Sequence, residues 1–266
     1  MRHSIVTGGS SGIGLEIARK LASRGGHVTI IGRTPSKLAA AKEAIEACRV
    51  AAEQQVLACS ADVSSFPATQ EAITRAEAQS GPADLLVTSA GMVGFVGRFE
   101  NAPVEAYEHV MAVNYFGSLH AVRAVLPSMQ SRRSGHLCLI SSGAGLLGIY
   151  GYSVYAPTKF ALRGLADTLR SELKRDGIGV SIAYPPDTDT PMLHEEIREA
   201  PPATRAVASS AGLWTAEAVA AAVLRGIARK HFEIPLGPEL RMLRHFRGLA
   251  SPAIHWYLDR LVERAK

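Results

Sequence analysis

Cysteine is scarce in this sequence, and its arrangement excludes two classes of protein. The three cysteines form no CxxC pair and no even-numbered set of the kind that staples small secreted domains; they are Cys48, Cys59 and Cys138. Cys138 lies in the apolar run HLCLIS, where a small buried residue is expected rather than a metal ligand or a nucleophile. The nine histidines lack the HExxH spacing of a zinc site. The sequence therefore predicts no metal site, and it suits a reducing compartment.

Long hydrophobic runs and runs of one charge are missing as well. No run approaches the about 18 apolar residues that span a membrane, and the first residues, MRHSIV, are typical of a strand rather than of a signal peptide. The net charge of +5 is dispersed, without the Lys/Arg cluster of a nucleic-acid-binding arm. We therefore expect a cytoplasmic protein that does not bind nucleic acid.

Short apolar runs alternate with amphipathic stretches along the chain of 266 residues. Seven of these runs are typical of strands: HSIVTG, HVTIIGR, QVLACSADV, ADLLVTSAG, GHLCLISS, GVSIAYPP and HFEIPLG. Short apolar strands between helices form parallel sheets that are buried on both faces. The pattern predicts a single α/β domain over residues 1–238, with a doubly wound, Rossmann-type parallel sheet of seven strands and helices on both faces. One helix is expected to begin at Val104 and to continue towards Met129.

Two segments fall outside this alternation. Residues 192–213, rich in Ala, Glu, Pro and Ser, form a long excursion where a lid over the site is expected. Residues 239–266 predict a C-terminal extension of one or two basic amphipathic helices. Its leucines are expected to pack on the domain, and its arginines beside two aromatic residues also suit peripheral contact with an anionic membrane. The residues of that second interpretation are Arg241, Arg244, Arg247, Arg260, Arg264, Trp256 and Tyr257.

A glycine-rich loop follows the first strand and opens a helix. Its sequence is TGGSSGIG, in the pattern TGxxxGxG. Such a loop brings the pyrophosphate of a dinucleotide close to bare backbone at a helix N-terminus, and therefore needs small residues. The cofactor-binding residues predicted here are Gly8, Ser10, Ser11, Gly12, Ile13 and Gly14.

The end of the second strand indicates which dinucleotide is bound. NAD-binding proteins place an acid here to hold the ribose 2′-hydroxyl, but this strand ends in Arg33, with Lys37 one helical turn later. A guanidinium suits a 2′-phosphate, so NADPH is expected rather than NADH. Asp62, at the end of the third strand, is expected either to accept from the adenine amino group or to cap the next helix, and the two interpretations stay open.

Tyr155 and Lys159 are four residues apart and therefore share one face of a helix. A phenol is a poor acid at neutral pH, and a neighbouring ammonium stabilises its phenolate. Ser142 stands at the end of a strand and can donate to a carbonyl oxygen. Tyr150 and Tyr152 have no lysine four residues on. The arrangement predicts proton transfer coupled to hydride delivery from the cofactor.

In this combination the sequence resembles the short-chain dehydrogenase/reductase family over about residues 4–236. The shared motifs are TGGSSGIG, Asp62, Ala90–Gly91, Asn114 in VNYFG, Ser142, and Tyr155 with Lys159 in YAPTK. The resemblance implies that Asn114 holds a water in a proton relay to Lys159. It implies further cofactor contacts at Val63, Ala90 and Gly91. It also implies a homodimer or homotetramer that packs through helices at about 104–130 and 155–175.

The segment AYPPDTDTP at the end of the sixth strand departs from the family pattern at one residue. In the family this strand ends in Pro-Gly with a threonine four residues beyond; here Pro185 and Thr190 are kept, and Pro186 replaces the glycine. Two prolines stiffen the chain, so we expect a rigid wall beside the nicotinamide, with Thr188 or Thr190 reaching its carboxamide. Thr190 is also expected to cap a helix that starts at Pro191, and both roles can hold together.

The same segment resembles the 3-ketodihydrosphingosine reductase branch of the family, as do RFE at 98–100 and SSGAGLLGIYGYSVYAPTKFALRGLADTL. The branch implies a lipid substrate, a long-chain amino alcohol whose 3-keto group is reduced with NADPH. Asp187 or Asp189 is expected to face its ammonium, both pointing the same way by strand-like alternation, unless they only bond backbone amides. Met92 and Phe95 are expected to cover the alkyl tail. Two alternatives stay open: an NADPH carbonyl reductase of a steroid, another lipid or an acyl-thioester, and a non-catalytic dinucleotide-sensing protein.

Overall fold

The seven apolar runs of the sequence form a single sheet in the computed structural model, which describes residues 2–208 and 212–264. The strands of this sheet are β1 (His3–Thr7), β2 (His27–Gly32), β3 (Val56–Ser60), β4 (Leu85–Thr88), β5 (Gly135–Ile140), β6 (Ile178–Tyr184) and β9 (Glu233–Pro235). A separate pair consists of β7 (Thr188–Asp189) and β8 (Trp214–Thr215). Residues 209–211 of the predicted lid, residues 265–266 of the predicted extension and the side chain of Arg247 lie outside the described part.

All neighbouring strands of the large sheet are parallel, in the order β3-β2-β1-β4-β5-β6-β9. The winding reverses between β1 and β4, where Ser4 is in register with Leu85 and Thr7 with Thr88. In doubly wound sheets, ligands bind in the crevice at this reversal, outside the carboxyl ends of the strands. The topology confirms the predicted fold and identifies the edge of the sheet where a site is expected.

Helices cover both faces of the sheet. One face carries α1 (Gly12–Ala22), α2 (Pro35–Glu46) and α9 (Ala216–Ala228), whose apolar sides form one core with Ile30 and Val87. The other face carries α3 (Phe66–Ser80), α5 (Gly117–Arg132) and α6 (Ala156–Glu172), which form a second core with Leu86 and Leu139. The central strands β1, β2, β4, β5 and β6 are covered on both sides and therefore carry largely continuous apolar runs, whereas the edge strand β3 is buried only in part.

The remaining helices are α4 (Val104–Met111), α7 (Pro191–Glu199), α8 (Pro202–Ala208) and α10 (Pro238–Arg264). A π-helical turn, Ala112–Phe116, separates α4 from α5. The helix expected to begin at Val104 and to continue towards Met129 is therefore confirmed, and it runs through this turn without a break. The hydrophobic period did not reveal the one inserted residue. Turns of this kind occur frequently at functional sites, and this one carries Asn114.

Capping signals in the sequence explain where several helices begin. Three helices start at a side chain that accepts from a backbone amide: α3 at Ser65, α7 at Thr190 and α9 at Thr215. Proline follows in the first turn of α3 and α7, where its missing amide hydrogen costs nothing. The described part of the predicted lid contains two short helices, α7 and α8. The C-terminal extension forms one helix, α10, with Pro252 inside it.

Candidate active site

Two adjoining cavities open at the carboxyl edge of the sheet. The glycine-loop cleft has a volume of about 490 Å³ and lies over the loop after β1 and the ends of β2 and β4. The apolar cavity has a volume of about 570 Å³ and lies between the segment after β6, α7 and α10. The two share several lining residues, among them Tyr155, Thr190 and Glu196. Ligands in the two cavities would therefore meet beside Tyr155.

The glycine loop needs glycine because its backbone passes close to other backbone. Gly8 has a φ of +69°, and a Cβ atom there would lie 2.6 Å from the backbone of Ala90. A Cβ atom on Gly14 would lie 2.4 Å from the carbonyl oxygen of Gly8 and would push the loop away from α1. Ser11 occupies the N-cap position of α1 but its side chain makes no capping bond. The N-terminal amides of α1 are therefore available to an anion such as a pyrophosphate.

Most of the predicted cofactor-binding residues line the glycine-loop cleft. They are Gly8, Ser10, Ser11, Gly12, Ile13, Arg33, Lys37, Val63, Ala90, Gly91, Tyr155, Lys159 and Thr190. Gly14 supports the loop from α1, whereas Pro185 and Thr188 line the apolar cavity instead. Arg33 and Lys37 are exposed and bring two cations to the cleft. The residues present fit NADPH, because uncapped amides suit its pyrophosphate and cations suit its 2′-phosphate.

Asp62 has a different local role from the one that its position predicted. Its carboxylate accepts hydrogen bonds from the backbone amide and the hydroxyl of Ser64, at 2.9 and 2.8 Å. Ser65, not Asp62, caps α3, so the prediction of a capping role was wrong. Burial alone would raise the pKa of Asp62, but the two bonds from Ser64 and the charge of Arg33 bring that pKa below its ordinary value. Contact with an adenine amino group stays a prediction.

The structure brings the three predicted catalytic side chains together. Tyr155 immediately precedes α6, and Lys159 lies within its first turns. The Tyr155 side chain lines the apolar cavity together with Ser142, which follows β5 and interacts with the phenol closely enough to lower its pKa. The Nζ atom of Lys159 lies 5.5 Å from the centre of the Tyr155 ring and donates to the carbonyl oxygen of Ile140 at 3.3 Å. Lys159 is 6% exposed, so its charge acts in a nearly dry environment.

Burial dominates the electrostatics of Tyr155 and Lys159. Burial raises the pKa of Tyr155, the hydrogen bond with Ser142 lowers it, and the carboxylates of Glu196 and Asp187 raise it further. Burial also lowers the pKa of Lys159 to about 8. The phenol is therefore protonated at neutral pH, which is the form that can donate to a carbonyl oxygen during reduction. The expected lowering of the phenol pKa by the ammonium does not dominate here, because the sequence could not weigh burial.

Asn114, in the π-helical turn, uses its side chain to join three segments. Its Oδ1 accepts from the amide of Met92, and its Nδ2 donates to the carbonyl of Met92, both at 2.9 Å. Nδ2 also donates to the hydroxyl of Thr158 in α6 at 3.0 Å. The hydroxyl of Thr158 in turn donates to the carbonyl of Tyr155 at 2.7 Å. Asn114 thus orients the start of α6, and its predicted role in a water relay stays a prediction.

The double proline forms a wall whose backbone is fixed by hydrogen bonds. The carbonyls of three consecutive residues are occupied: Pro185 accepts from the Gly143 amide, Pro186 from the Thr188 hydroxyl and Asp187 from the Trp214 amide, at 2.8–2.9 Å. Thr190 accepts from the Leu193 amide at 3.3 Å and thereby caps α7, as one of its two predicted roles required. The wall lines the apolar cavity beside Ser142.

The structure corrects three of the predicted substrate contacts. Asp187 lines the apolar cavity, but Asp189 is exposed and is paired with His194 at 2.8 Å. The two aspartates therefore do not point the same way, because Asp187 lies in the bend before β7 and the strand-like alternation does not extend to it. Met92 lines the glycine-loop cleft rather than the apolar cavity. Phe95 lines neither of the two cavities, since its ring packs over Gly97.

Helix α10 supplies much of the lining of the apolar cavity. The sequence did not predict this role for the helix. Seven of its described apolar side chains line the cavity: Leu240, Met242, Leu243, Phe246, Ile254, Tyr257 and Leu258. Arg244 of α10 forms an ion pair with Glu233 of β9 and so attaches the helix to the sheet. The amphipathic pattern of 239–266 was the only signal of this role, since an apolar face can pack on a domain or enclose a ligand equally well.

Sequence reasoning also missed a pair of residues beside Tyr155. Glu196 of α7 accepts a hydrogen bond from the hydroxyl of Tyr152. Tyr152 is 5% exposed, and its ring packs edge-on against that of Tyr155, with centroids 5.6 Å apart. Both residues of the pair line the apolar cavity. Tyr152 had been set aside because no lysine follows it at four residues, and nothing in the sequence linked it to a glutamate 44 residues away.

Two kinds of site are absent from residues 2–208 and 212–264. No three His, Cys, Asp or Glu side chains are grouped there as a metal ion would require. No helix within those ranges combines the length and the apolar character needed to cross a membrane.

Comparisons with known proteins agree with this geometry. A family model described as short chain dehydrogenase matches residues 2–201. The chain is 40% identical over 251 residues to the 3-dehydrosphinganine reductase of Danio rerio, covering 94% of this chain and 75% of that protein. It is 40% identical over 242 residues to the 3-ketodihydrosphingosine reductase of Bos taurus, covering 91% and 73%. The crystal structure of levodione reductase superposes with a TM-score of 0.82 at 25% identity, covering 89% of this chain and 96% of that one.

Proposed function

The chain belongs to the short-chain dehydrogenase/reductase family, and we propose from this premise that it reduces 3-ketodihydrosphingosine to dihydrosphingosine with NADPH. The observation that carries the proposal is the apolar cavity of about 570 Å³ that ends at Ser142 and Tyr155. Its apolar lining from α10 suits a long alkyl chain, while the polar end suits a ketone. Relatives that match more than nine-tenths of this chain are reductases of that ketone.

We propose that Ser142, Tyr155 and Lys159 carry the reaction. The Ser142 oxygen accepts from the amide of Ala144 at 3.1 Å, so the Ser142 hydroxyl hydrogen is free to point to the substrate carbonyl and to polarise that carbonyl. Bound NADPH supplies the hydride to the carbonyl carbon. The Tyr155 phenol donates its proton to the carbonyl oxygen, which becomes the hydroxyl of the product. The Lys159 ammonium stabilises the phenolate that remains, and Asn114 orients the start of α6.

In the proposed cofactor site, the uncapped amides at Gly12 and Ile13 hold the pyrophosphate, and Arg33 with Lys37 holds the 2′-phosphate. The cofactor-binding domain spans 1–238, and α7, in the described part of the predicted lid, covers the bound ligands with side chains that line both cavities. The wall of Pro185 and Pro186 keeps the substrate ketone aligned with the bound nicotinamide, because the backbone carbonyls of both prolines are held by hydrogen bonds.

An NADPH-oxidation assay tests the proposal with 3-ketodihydrosphingosine, a steroid ketone and a β-ketoacyl thioester as substrates. The expected result is a preference for 3-ketodihydrosphingosine, and Tyr155→Phe should abolish turnover while leaving NADPH binding nearly intact. A preference for the steroid or the thioester would support the corresponding alternative. NADPH binding without turnover of any ketone would instead support a dinucleotide sensor, which the presence of both Tyr155 and Lys159 disfavours.

We further propose that α10 contacts the surface of an anionic membrane. Four large side chains of α10 are more than half exposed: Met242, Phe246, Trp256 and Tyr257. Phe246 and Tyr257 also line the apolar cavity, so its mouth opens at this surface and an alkyl chain could enter from a bilayer. Arg260 stacks on Trp256 at 4.4 Å and brings a cation to the same surface.

Co-sedimentation with anionic vesicles tests this contact. Binding should weaken with added salt and with Trp256→Glu, whereas Phe99→Glu, on a different exposed surface, should bind like the wild type. No binding at low salt would contradict the proposal.

We also propose a homodimer or homotetramer that packs through α4, α5 and α6. Val104 of α4 and Phe116 of the π-helical turn before α5 have large apolar side chains that are 69% and 45% exposed, and burying them in a partner is favourable. Light scattering should give twice or four times the chain mass, and Phe116→Arg should lower it. A monomeric wild type would contradict the proposal.

A further inference from the structure

The charged side chains of the apolar cavity all have the same sign. Among the described residues that line it, the charged ones are Asp187, Glu196 and Glu239, and none is Lys, Arg or His. Glu239 is exposed at the first turn of α10, where water solvates its charge. Asp187 and Glu196 are partly buried beside the reacting groups, so their charges remain uncompensated within the cavity.

Asp187 is held in place by its backbone, while its carboxylate has no partner among the described residues. The carbonyl of Asp187 accepts from the Trp214 amide at 2.9 Å, and the preceding residue is Pro186. Within the described part of the chain, no group donates a hydrogen bond to the Asp187 carboxylate or forms an ion pair with it. Burial and the nearby Glu196 raise the pKa of Asp187 to about 6, as expected of a carboxylate that lacks a cation.

Glu196 lines the same cavity and is positioned by Tyr152. The Tyr152 hydroxyl donates to one carboxylate oxygen of Glu196. Burial raises the pKa of Glu196, and the bond from Tyr152 lowers it. Tyr152 itself packs against Tyr155, so this hydrogen bond fixes the distance of Glu196 from the reacting phenol. A carboxylate oxygen has more than one lone pair, and Glu196 can therefore accept a further donor.

We propose that Asp187 and Glu196 together bind the ammonium group of the substrate and thereby determine which ketones this site reduces. The inference rests on the proposed function, in which the amine is on the carbon next to the ketone. An ammonium has three donors, enough to bond both carboxylates while the neighbouring carbonyl faces Ser142 and Tyr155. The alkyl chain then extends along the lining from α10.

The ammonium also changes the acid strength of the reacting phenol. Asp187 and Glu196 both raise the pKa of Tyr155, which opposes proton donation. A cation bound between these carboxylates cancels that effect, so the correct substrate strengthens the acid that it needs. An uncharged ketone of equal length forms no ion pair with the two carboxylates. It also leaves their negative charges uncompensated, so the pKa of Tyr155 stays raised. Selectivity for amino ketones follows from one pair of side chains.

Steady-state kinetics with NADPH test the inference on two substrates, 3-ketodihydrosphingosine and its analogue without the amino group. We expect Asp187→Asn and Glu196→Gln each to lower kcat/KM for the amino ketone about ten- to a hundred-fold. For the uncharged ketone, kcat/KM should rise, because each variant removes a charge that raises the pKa of Tyr155. Gln still accepts from Tyr152, so the second variant keeps the fold around it. Asp189→Asn removes a carboxylate from the exposed side of the same turn and should behave like the wild type.

Equal losses on both substrates, or no loss on either, would overturn the inference while leaving the reductase activity established. The inference would also be overturned by a wild type that reduces the uncharged ketone as efficiently as the amino ketone. If the wild type reduces neither ketone, the proposed function fails. A ligand-binding measurement then tests whether Asp187 and Glu196 form an ammonium site. Displacement of a fluorescent fatty probe should then show dodecylamine binding more tightly than dodecanol, and the two variants should abolish that difference. Equal affinities in the wild type would refute the ammonium site.

Discussion

Replacing Arg33 with aspartate should change which dinucleotide the protein uses. Arg33 is exposed at the end of β2 and lines the glycine-loop cleft together with Lys37. Its guanidinium can form two parallel bonds with a 2′-phosphate, whereas a carboxylate repels that phosphate and accepts from a 2′-hydroxyl. Arg33→Asp therefore removes an attraction for NADPH and adds one for NADH.

The size of the change follows from the exposure of the two cations. A hydrogen bond to a charged group contributes about 1.5–3 kcal/mol, which corresponds to about ten- to a hundred-fold in affinity. Lys37 stays one helical turn away and retains part of the attraction, but it is exposed and solvent screens it. We therefore expect the ratio of kcat/KM for NADPH to that for NADH to fall about ten- to a hundred-fold, with a smaller change for Lys37→Ala.

The assay is initial-rate kinetics with each cofactor at saturating ketone. Arg24→Asp makes the same charge reversal at an exposed position that does not line either cavity, and its cofactor ratio should equal that of the wild type. A wild type that uses NADH as well as NADPH would refute the assigned role of Arg33. An equal change in Arg24→Asp would mean that net charge, not a phosphate contact, sets the preference.

Three further predictions concern the loop, the buried lysine and a buried histidine. Gly14→Ala places a Cβ atom 2.4 Å from the Gly8 carbonyl oxygen and should abolish NADPH binding in a fluorescence titration; unchanged affinity would mean that the loop adjusts. Lys159→Ala should reduce both NADPH affinity and turnover, whereas Tyr155→Phe reduces turnover alone; intact affinity would remove Lys159 from the cofactor site. Burial and then Lys230 lower the pKa of His136 to about 4. The native state keeps this histidine neutral while the unfolded chain binds a proton below pH 6.5, so its contribution is present above pH 6.5 and is lost as the pH falls towards 4. The free energy of unfolding should drop by about 2–3 kcal/mol over that window, and urea titrations of His136→Asn should show a smaller drop.

The fold and the reacting side chains could be predicted because they depend on near neighbours in sequence. Seven apolar runs between helices specify a parallel sheet, since such strands must be covered on both faces. The glycine loop is recognisable because strand, loop and helix are contiguous, and the structure confirms that no side chain fits at Gly14. Tyr155 and Lys159 are four residues apart on one helix, so their proximity follows from the helical period alone.

Only the tertiary structure decided what surrounds those residues. The apolar cavity is closed by α10, and Asp187 and Glu196 supply charges near its polar end. These segments lie against Ser142 and Tyr155, from which they are distant in sequence. Asp189 is exposed while Asp187 lines the cavity, because Asp187 lies in the bend before β7, and one inserted residue makes the π-helical turn at Asn114. The sequence by itself determined the chemistry, because bonding along one helix or one loop is local. The burial of Tyr155, its pKa and the side chains that surround it depend on how distant segments pack. No local pattern in the sequence encodes that packing.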